Sequence, residues 1–501
     1  MTIALKNIEK VYGAKSVLKG ISIAFNQGER VALIGENGVG KTTLLRICAG
    51  LEEPTGGDIF RDEHTVACFV PQDFPEEFTD SDMTAENYAR QFGSDSLMRS
   101  VKRVWAEFEQ PESALGQTLV SLSGGQKKML DLSIAFARKP QYLFLDEPEN
   151  HIDVFARQEL IRLIGGSRSC VVFVSHDQNL INSVTNRIAE IEDGRLTSYT
   201  GTYQFYLEQK AKREAGIERS WKSHEKKVDQ LDRLIKRMHE WVQKNPDLGA
   251  QLRSRKTQLE RLQKNAPAQP KVRKRFKLAL SDNDPGYGHG KRMLLIKGLS
   301  LSAGDKSLLR GVDLALFSGE KIALVGRNGS GKSTLLKAIM GRIPPSQGEV
   351  RLGQNVTPGY FSQESQESLD QARTPLDLVS EVYPAHEHKI RALLANYLIG
   401  VDACSRPVST LSGGQKTRLR FCLLFMRSPE FLLLDEPTNH LDPVSWDILL
   451  QGLKEYKGTV LVVSHDRMFI DEVFDKLWII EDREILEYRG KLAEYLNESV
   501  P

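Results

Sequence analysis

Cysteine is scarce. Cys48, Cys68, Cys170, Cys404 and Cys422 are the only five in 501 residues, and no CxxC pair occurs among them. An odd, scattered set argues against a disulfide framework and against a thiolate zinc site, and fits a reducing compartment. No apolar run approaches the roughly 18 residues of a membrane helix, so any membrane span would have to come from another subunit. The opening MTIALKNIEKVYG has no apolar region of the secretory kind, so no signal peptide is expected. Net charge is nearly absent too, at +2. What is present is the mixture of a soluble globular chain, 40% hydrophobic and 27% charged, at a length that calls for more than one core.

The chain repeats itself. GENGVGKTT starts at Gly35 and GRNGSGKST at Gly326; FVPQ ends at Gln72 and YFSQ at Gln363. LSGGQ starts at Leu122 and Leu411, DEP at Asp146 and Asp435, and VSHD at Val174 and Val463. The offset is 291 residues for the first two pairs and 289 for the others. Motifs recurring in one order at one spacing mean a tandem duplication. VALIG and IALVG read as apolar strands entering glycine loops, and YLFLDE, FLLLDE, CVVFVSH and VLVVSH as further buried strands. Such continuous apolar runs predict an α/β unit with a parallel sheet covered on both faces.

Each motif suits a phosphate. In the P-loop pattern, glycines let backbone N–H groups wrap the anion at a helix N-terminus, lysine neutralises β/γ-phosphates, and the hydroxyl ligates Mg²⁺. The predicted nucleotide-binding set is Gly35, Asn37, Gly38, Gly40, Lys41, Thr42 and Thr43, matched by Gly326, Asn328, Gly329, Gly331, Lys332, Ser333 and Thr334. Asp146 and Asp435 end apolar strands, as a Mg²⁺-holding carboxylate should. Glu147 and Glu436 follow and would orient or activate the attacking water. Gln72 and Gln363 would bind Mg²⁺ or that water, and His176 and His465 would sense the γ-phosphate. Ser123, Gly124, Gly125 and Gln126, like Ser412, Gly413, Gly414 and Gln415, open an amphipathic helix, which is a second anion site. Nothing within its own copy needs one; a phosphate held by the other copy would.

In this order the motifs resemble those of the ATP-binding cassette ATPases, over about four-fifths of the chain. The resemblance implies a head-to-tail sandwich of the two units with two ATP molecules between them. One site would join Lys41, Thr42, Gln72, Asp146, Glu147 and His176 to Ser412 and Gly414. The other would join Lys332, Ser333, Gln363, Asp435, Glu436 and His465 to Ser123 and Gly125. Tyr12 stands where the family stacks an aromatic ring on adenine; the second copy has Ala303 there. Glu149 stands where the second copy has Thr438, so an extra carboxylate would either repel phosphate near the interface or face solvent, and the two sites would differ in affinity or turnover.

Positive charge is concentrated in one segment. Between Leu207 and Arg292 stand 23 Lys/Arg against 11 Asp/Glu, a surplus of twelve that leaves −10 for the remainder. That is a footprint for a polyanion. Ile217, Trp221, His224, Val228, Leu231, Ile235, Met238 and Val242 alternate by four and three, a coiled-coil seam apart from the histidine. Asn245-Pro246-Asp247 breaks it, and Leu248, Leu252, Leu259 and Leu262 resume it, with Arg255 interrupting. An antiparallel helical hairpin is expected, with a first limb Ile217–Lys244, an end near Ala266-Pro267 and a basic KVRKRFK stretch after it. The expected division is 1–206 and 293–501 for two cassette domains and 207–292 for the linker.

With this linker, and with DEPTNHLD at Asp435–Asp442, the chain resembles the ABC-F family. That implies an ATPase working on the ribosome in the cytoplasm, as a monomer with an intramolecular cassette pair. Its linker would contact ribosomal RNA and tRNA near the tRNA exit site and point toward the peptidyl-transferase centre, in translation or in protection against antibiotics. The spacing from Gln72 to Ser123 leaves no room for the large arm some members carry in the first cassette. The alternatives are the tandem ATPase subunit of a membrane importer and a DNA-repair ATPase.

Overall fold

In the computed structural model the two copies fold alike. It describes residues 2–498 apart from Asn37, Glu63, Asp80, Ser81, His176, 243–248, 267–289, Asp305, 362–368, Ser428, His440 and Asp442. Of the predicted features, Asn37, His176, Gln363, the linker tip and the KVRKRFK stretch fall outside these residues.

The first copy contributes β1 (Thr2–Tyr12), β2 (Lys15–Asn26), β3 (Arg30–Ile34), β4 (Gly56–Phe60), β5 (Ala67–Val70), β6 (Tyr142–Asp146), β7 (Cys170–Val174), β8 (Arg187–Glu192) and β9 (Arg195–Thr200). β2-β1-β4 form a three-stranded antiparallel sheet, and β5-β6-β7-β3-β8-β9 a six-stranded one. β3 runs parallel to β7 and β8, and β6 parallel to β5 and β7. Every residue of β6 and β7 is buried, as unbroken apolar runs predict for strands covered on both faces.

The second copy contributes β10 (Arg292–Ala303), β11 (Lys306–Phe317), β12 (Lys321–Gly326), β13 (Gln347–Leu352), β14 (Pro358–Phe361), β15 (Phe431–Asp435), β16 (Thr459–Val463), β17 (Lys476–Glu481) and β18 (Glu484–Arg489). Its sheets, β11-β10-β13 and β14-β15-β16-β12-β17-β18, repeat the first pattern strand for strand. In both copies an inner strand (β3 or β12) leads into the glycine loop, its neighbour β7 or β16 ends at the Ser-His-Asp motif, and the next strand out, β6 or β15, ends at the acidic motif. Three separated motifs therefore converge on one end of each sheet, where ligands bind in open α/β sheets.

The chain divides into two compact units: Met1–Ser198 with Phe276–Pro501, which holds both cassettes, and Tyr199–Arg275. The cassettes share packing. Val154 of the first is buried in the hydrophobic cluster of the second, and Phe155 packs against it.

The linker unit consists of the helices Tyr203–Val242 and Gly249–Lys264. The six-residue connection between two helices in contact leaves only an antiparallel pairing. Leu231, Ile235, Met238 and Leu252 are buried between them, with Leu259 and Leu262 packed alongside. The first limb starts at Tyr203 rather than Ile217, so its 40 residues reach roughly 60 Å at about 1.5 Å per residue. Aromatic rings carry it back. Tyr206 is buried against Tyr199 and Tyr203, at centroid distances of 5.2 and 5.7 Å, and Arg213 donates to the Tyr199 hydroxyl at 3.1 Å. Among the described residues no helix is long and apolar enough to cross a membrane.

Candidate functional site

Each glycine loop ends in a residue only glycine tolerates. Gly40 and Gly331 both have φ near 106°, and a Cβ on Gly40 would sit 2.6 Å from the Val17 side chain. The helices Lys41–Ala49 and Lys332–Ile339 start immediately after, so their free N–H groups border the loop. Lys41 Nζ donates to the Gly35 and Glu36 carbonyls at 2.7 and 3.1 Å; Lys332 Nζ donates to Gly326 and Arg327 at 2.8 and 3.0 Å. An ammonium carries three hydrogens, so each lysine is oriented by two and keeps one for an anion. Burial pulls both below the ordinary lysine range, while Glu147 and Asp146 in one cassette, and Glu436 and Asp435 in the other, favour the charged form.

The acidic pairs lie beside them. Asp146 bonds the Thr42 hydroxyl, and Asp435 accepts from Ser333 Oγ at 3.1 Å and the Tyr360 hydroxyl at 3.4 Å. Burial raises both aspartates above the usual carboxylate range. Glu147 and Glu436 take left-handed backbone, with φ of 44° and 50°. Bonds from their own N–H groups to Val174 and Val463 at 3.0 and 2.9 Å hold that turn. Non-glycine residues held this way cluster where a side chain must be aimed.

Glu147 accepts from Asn150 Nδ2 at 2.7 Å. Glu436 lies 3.1 Å from His465 Nε2, too poorly aligned for a hydrogen bond. Among the described residues both Glu436 oxygens and His465 Nδ1 are buried without a partner. Buried polar groups are normally satisfied, so this cluster has hydrogen-bonding capacity to offer a ligand. Burial pushes the Glu436 carboxyl up to about 7, and burial with the charges of Lys332 and Arg157 holds His465 well below the usual histidine range.

A cavity of about 410 Å³ opens over the first glycine loop. Tyr12, Lys41, Thr42, Thr43, Gln72 and Glu147 line it from the first cassette and Leu441 from the second. Tyr12 is 47% exposed at its mouth; its hydroxyl donates to Glu52 and Lys10 Nζ lies 5.2 Å from its ring.

Over the second loop the first cassette reaches across. The Asn328 N–H donates to Asp153 Oδ2 at 2.8 Å, and Asn328 Nδ2 donates to the His151 carbonyl at 2.6 Å. A Cβ on Gly125 would lie 2.8 Å from Asn328 Nδ2. The structure thus sets Gly125 beside the second P-loop. The matching neighbours of Gly414 would be Asn37 and His440, outside the described residues. Arg327 adds an ion pair with Glu109 and lies 5.7 Å from the Phe155 ring.

Gln126 and Gln415 are occupied as caps. Each side-chain oxygen accepts from the N–H of Ser123 or Ser412 at 3.0 Å, while the serine hydroxyl accepts from the glutamine N–H. Glu149 corrects an expectation. It is buried, with Oε1 accepting from Ser175 Oγ at 2.6 Å, so it neither faces solvent nor lines the phosphate cradle. Thr438 bonds Ser464 in the same place at 2.9 Å.

Sequence reasoning missed Lys128. Its ammonium is buried and donates to the carbonyls of Pro71 (2.6 Å), Gln72 (3.2 Å) and Asp146 (3.2 Å), tying the Gln72 loop to the acidic strand. Burial pulls it down to about 8, and pushes neighbouring Asp131, which accepts from Tyr88, up to about 7. The second copy has Thr417 here, and its hydroxyl returns to its own helix at Gly413. Lys128→Met leaves three carbonyls without their donor, at about 1–3 kcal/mol for each that water cannot reach. Lower thermal stability and faster amide exchange at 70–73 are expected, with neither effect from Thr417→Met; equal behaviour of the two variants would remove Lys128 from this role.

The residues present fit a nucleotide with Mg²⁺: a cradle that a Cβ would fill, an all-oxygen donor set, and one carboxylate per site rather than a closed cage.

Comparison with known proteins agrees. A family model described as ABC transporter matches residues 18–150 and again 309–439, and a second model with that description matches 189–278. The chain is 32% identical to "ABC transporter F family member 2" of Arabidopsis thaliana, over 99% of this chain and 79% of that protein. It is 32% identical to "Putative ATP-binding protein YdiF" of Bacillus subtilis (strain 168), over 99% and 82%. Among solved structures, "RNase-L Inhibitor" matches with a TM-score of 0.65 at 21% identity, covering 98% of this chain and 92% of that one. A second, titled "Model of ribosome-bound archaeal Pelota and ABCE1", matches with a TM-score of 0.64 at 22% identity, over 98% and 80%. At such identity the likeness is one of fold.

Proposed function

The chain belongs to the ABC-F family of tandem ATP-binding cassette ATPases, and from that premise we propose that it is a cytoplasmic, ribosome-associated ATPase that closes on ATP and opens on hydrolysis. The observation that carries the closing step is Asn328 of one cassette bonded to Asp153 and His151 of the other, beside Gly125. Each cassette holds part of each phosphate shell, so ATP joins what hydrolysis releases.

Lys41 and Lys332 neutralise the β/γ-phosphates, and the glycine-loop N–H groups wrap them. Thr42, Gln72 and Asp146 in one site, and Ser333, Gln363 and Asp435 in the other, would hold Mg²⁺, which supplies charge neutralisation on the phosphates when bound. Glu147 and Glu436 orient the attacking water and take its proton; His176 and His465 would sense the γ-phosphate. Ser123 with Gly125, and Ser412 with Gly414, complete the opposite sites.

The basic helix pair supplies the partner. A surplus of twelve positive charges between Leu207 and Arg292 suits folded RNA, and a seam of buried apolar residues makes it a stiff probe. On this reading the linker enters near the tRNA exit site and points toward the peptidyl-transferase centre, in translation or in protection against antibiotics. A solved structure of similar fold is titled as ribosome-bound. An importer subunit would need a coupling surface for membrane partners instead, and a repair ATPase would follow DNA.

Fractionation with a non-hydrolysable ATP analogue tests this: the protein should sediment with 70S ribosomes, and retention on membranes or on nuclease-sensitive DNA would overturn it. Binding should weaken with salt, by about 0.7–0.9 in log–log slope per phosphate contact. Replacing Lys271, Arg273, Lys274 and Arg275 by glutamine should reduce that slope by about 3 and spare basal ATPase. An unchanged slope would remove these four from the interface.

A further inference from the structure

One turn into the helix Val154–Gly166, which follows the acidic strand of the first cassette, stands Arg157. Its guanidinium makes three hydrogen bonds. Nε donates to the Ile152 carbonyl at 3.3 Å and Nη1 to Asp177 Oδ2 at 3.5 Å, both within the first cassette. Nη1 also donates to the main-chain carbonyl of His465, in the second cassette, at 3.0 Å. The side chain is 15% exposed, so water competes poorly for these partners. The bond lands on the backbone of the residue whose Nε2 lies 3.1 Å from Glu436.

At the matching position the second cassette has no such reach. Counting from the Asp that ends each NH-x-D motif, Trp446 occupies the matching position. An indole has one donor. That donor is used inside its own cassette, on Asp466 Oδ2 at 2.7 Å. Asp466 matches Asp177, so the two cassettes satisfy the same aspartate differently, and only the arginine has hydrogens left to send across.

We infer that Arg157 is a positioning residue that couples cassette engagement to turnover at the second site only. By holding the main chain at His465 it keeps the imidazole facing Glu436 while the cassettes are apposed, and releases it when they part. At the first site Trp446 stands in the matching position with its one donor spent on Asp466, so turnover there does not depend on this bond. The inference rests on the assignment of Glu436 and His465 to hydrolysis, and is independent of ribosome binding.

The test measures ATP turnover of the full chain without ribosomes. In a Glu147→Gln background the second site carries the activity; in a Glu436→Gln background the first does. Arg157→Met should lower kcat on the order of 10- to 100-fold in the first of these, the scale of a misplacement of about 1 Å, with KM for ATP unchanged. In the Glu436→Gln background kcat should stay within about twofold, less than the loss of one productive hydrogen bond. Arg157→Lys keeps the charge and a donor and should restore part of the lost kcat even if the methionine variant folds poorly. Equal loss in both backgrounds, loss through KM alone, or no recovery with lysine would overturn the proposal. Failure of ribosome sedimentation would leave this result standing, so the two readings fail separately.

Discussion

Replacing both Glu147 and Glu436 by glutamine is expected to lower ATP turnover by about 10²–10⁴-fold, the usual worth of a general base, and to raise the fraction of protein that sediments with ribosomes in ATP. The amide keeps the size of the carboxylate but accepts no proton. Nucleotide binding should survive, because the phosphate cradle is built from main-chain N–H groups, Lys41 and Lys332 rather than from these carboxylates. The contacts from Asn328 to Asp153 and His151 would then persist instead of being broken each cycle. Both glutamates hold left-handed backbone through bonds of their own N–H groups, which substitution leaves intact. A pelleting assay with a wash at fixed salt decides it. A variant that washes off as readily as the natural chain would sink the closing-and-release mechanism, even if its ATPase were lost.

The second large effect is expected from Ile235→Asp. Ile235 is 6% exposed between the linker helices, in a cluster that among the described residues has three other buried members, Leu231, Met238 and Leu252. So small a core has no reserve. A buried unpaired carboxylate costs roughly 2–7 kcal/mol or more, and helices of this composition are marginal without tertiary packing. The pair should melt locally, show new protease cleavage between 207 and 264, and lose ribosome sedimentation by more than about tenfold. Basal ATPase should persist, because the linker helices form a compact unit separate from both cassettes. Leu234→Asp is the control one residue away; Leu234 is already 37% exposed and should tolerate the charge. If Ile235→Asp kept full ribosome binding, the ordered helix pair would not be what the ribosome reads.

Much of this molecule was legible beforehand, for a physical reason. Wrapping a phosphate demands glycines, a lysine and a hydroxyl at fixed spacing, and a doubly covered parallel strand demands an unbroken apolar run. Such requirements leave marks in local sequence, and duplication printed them twice. The linker seam was readable for the same reason, since its buried positions recur by threes and fours. Its start was not, because the stretch from Tyr203 is held by Tyr199, Tyr206 and Arg213 rather than by a periodic apolar face. Lys128 was invisible as well: a lysine on a mostly apolar helix reads as a solvated position, and only the fold shows three carbonyls around its ammonium. Asp153 with Asn328, and Arg157 with His465, join residues 175 and 308 positions apart. No local pattern announces such a pair. Glu149 was misjudged because its partner Ser175 lies on another strand end.

Leu441 stands in the first cavity and Gly125 beside the second glycine loop, so each glycine loop has a neighbour from the far portion of the same polypeptide. A one-piece chain makes their meeting a first-order event, governed by the local concentration that the connection imposes rather than by that of the protein in solution. Response to nucleotide then ought to be indifferent to dilution, whereas a pair of severed halves would need to find each other by diffusion. Copy number in the cell can fall very low and each molecule still carries a finished engine.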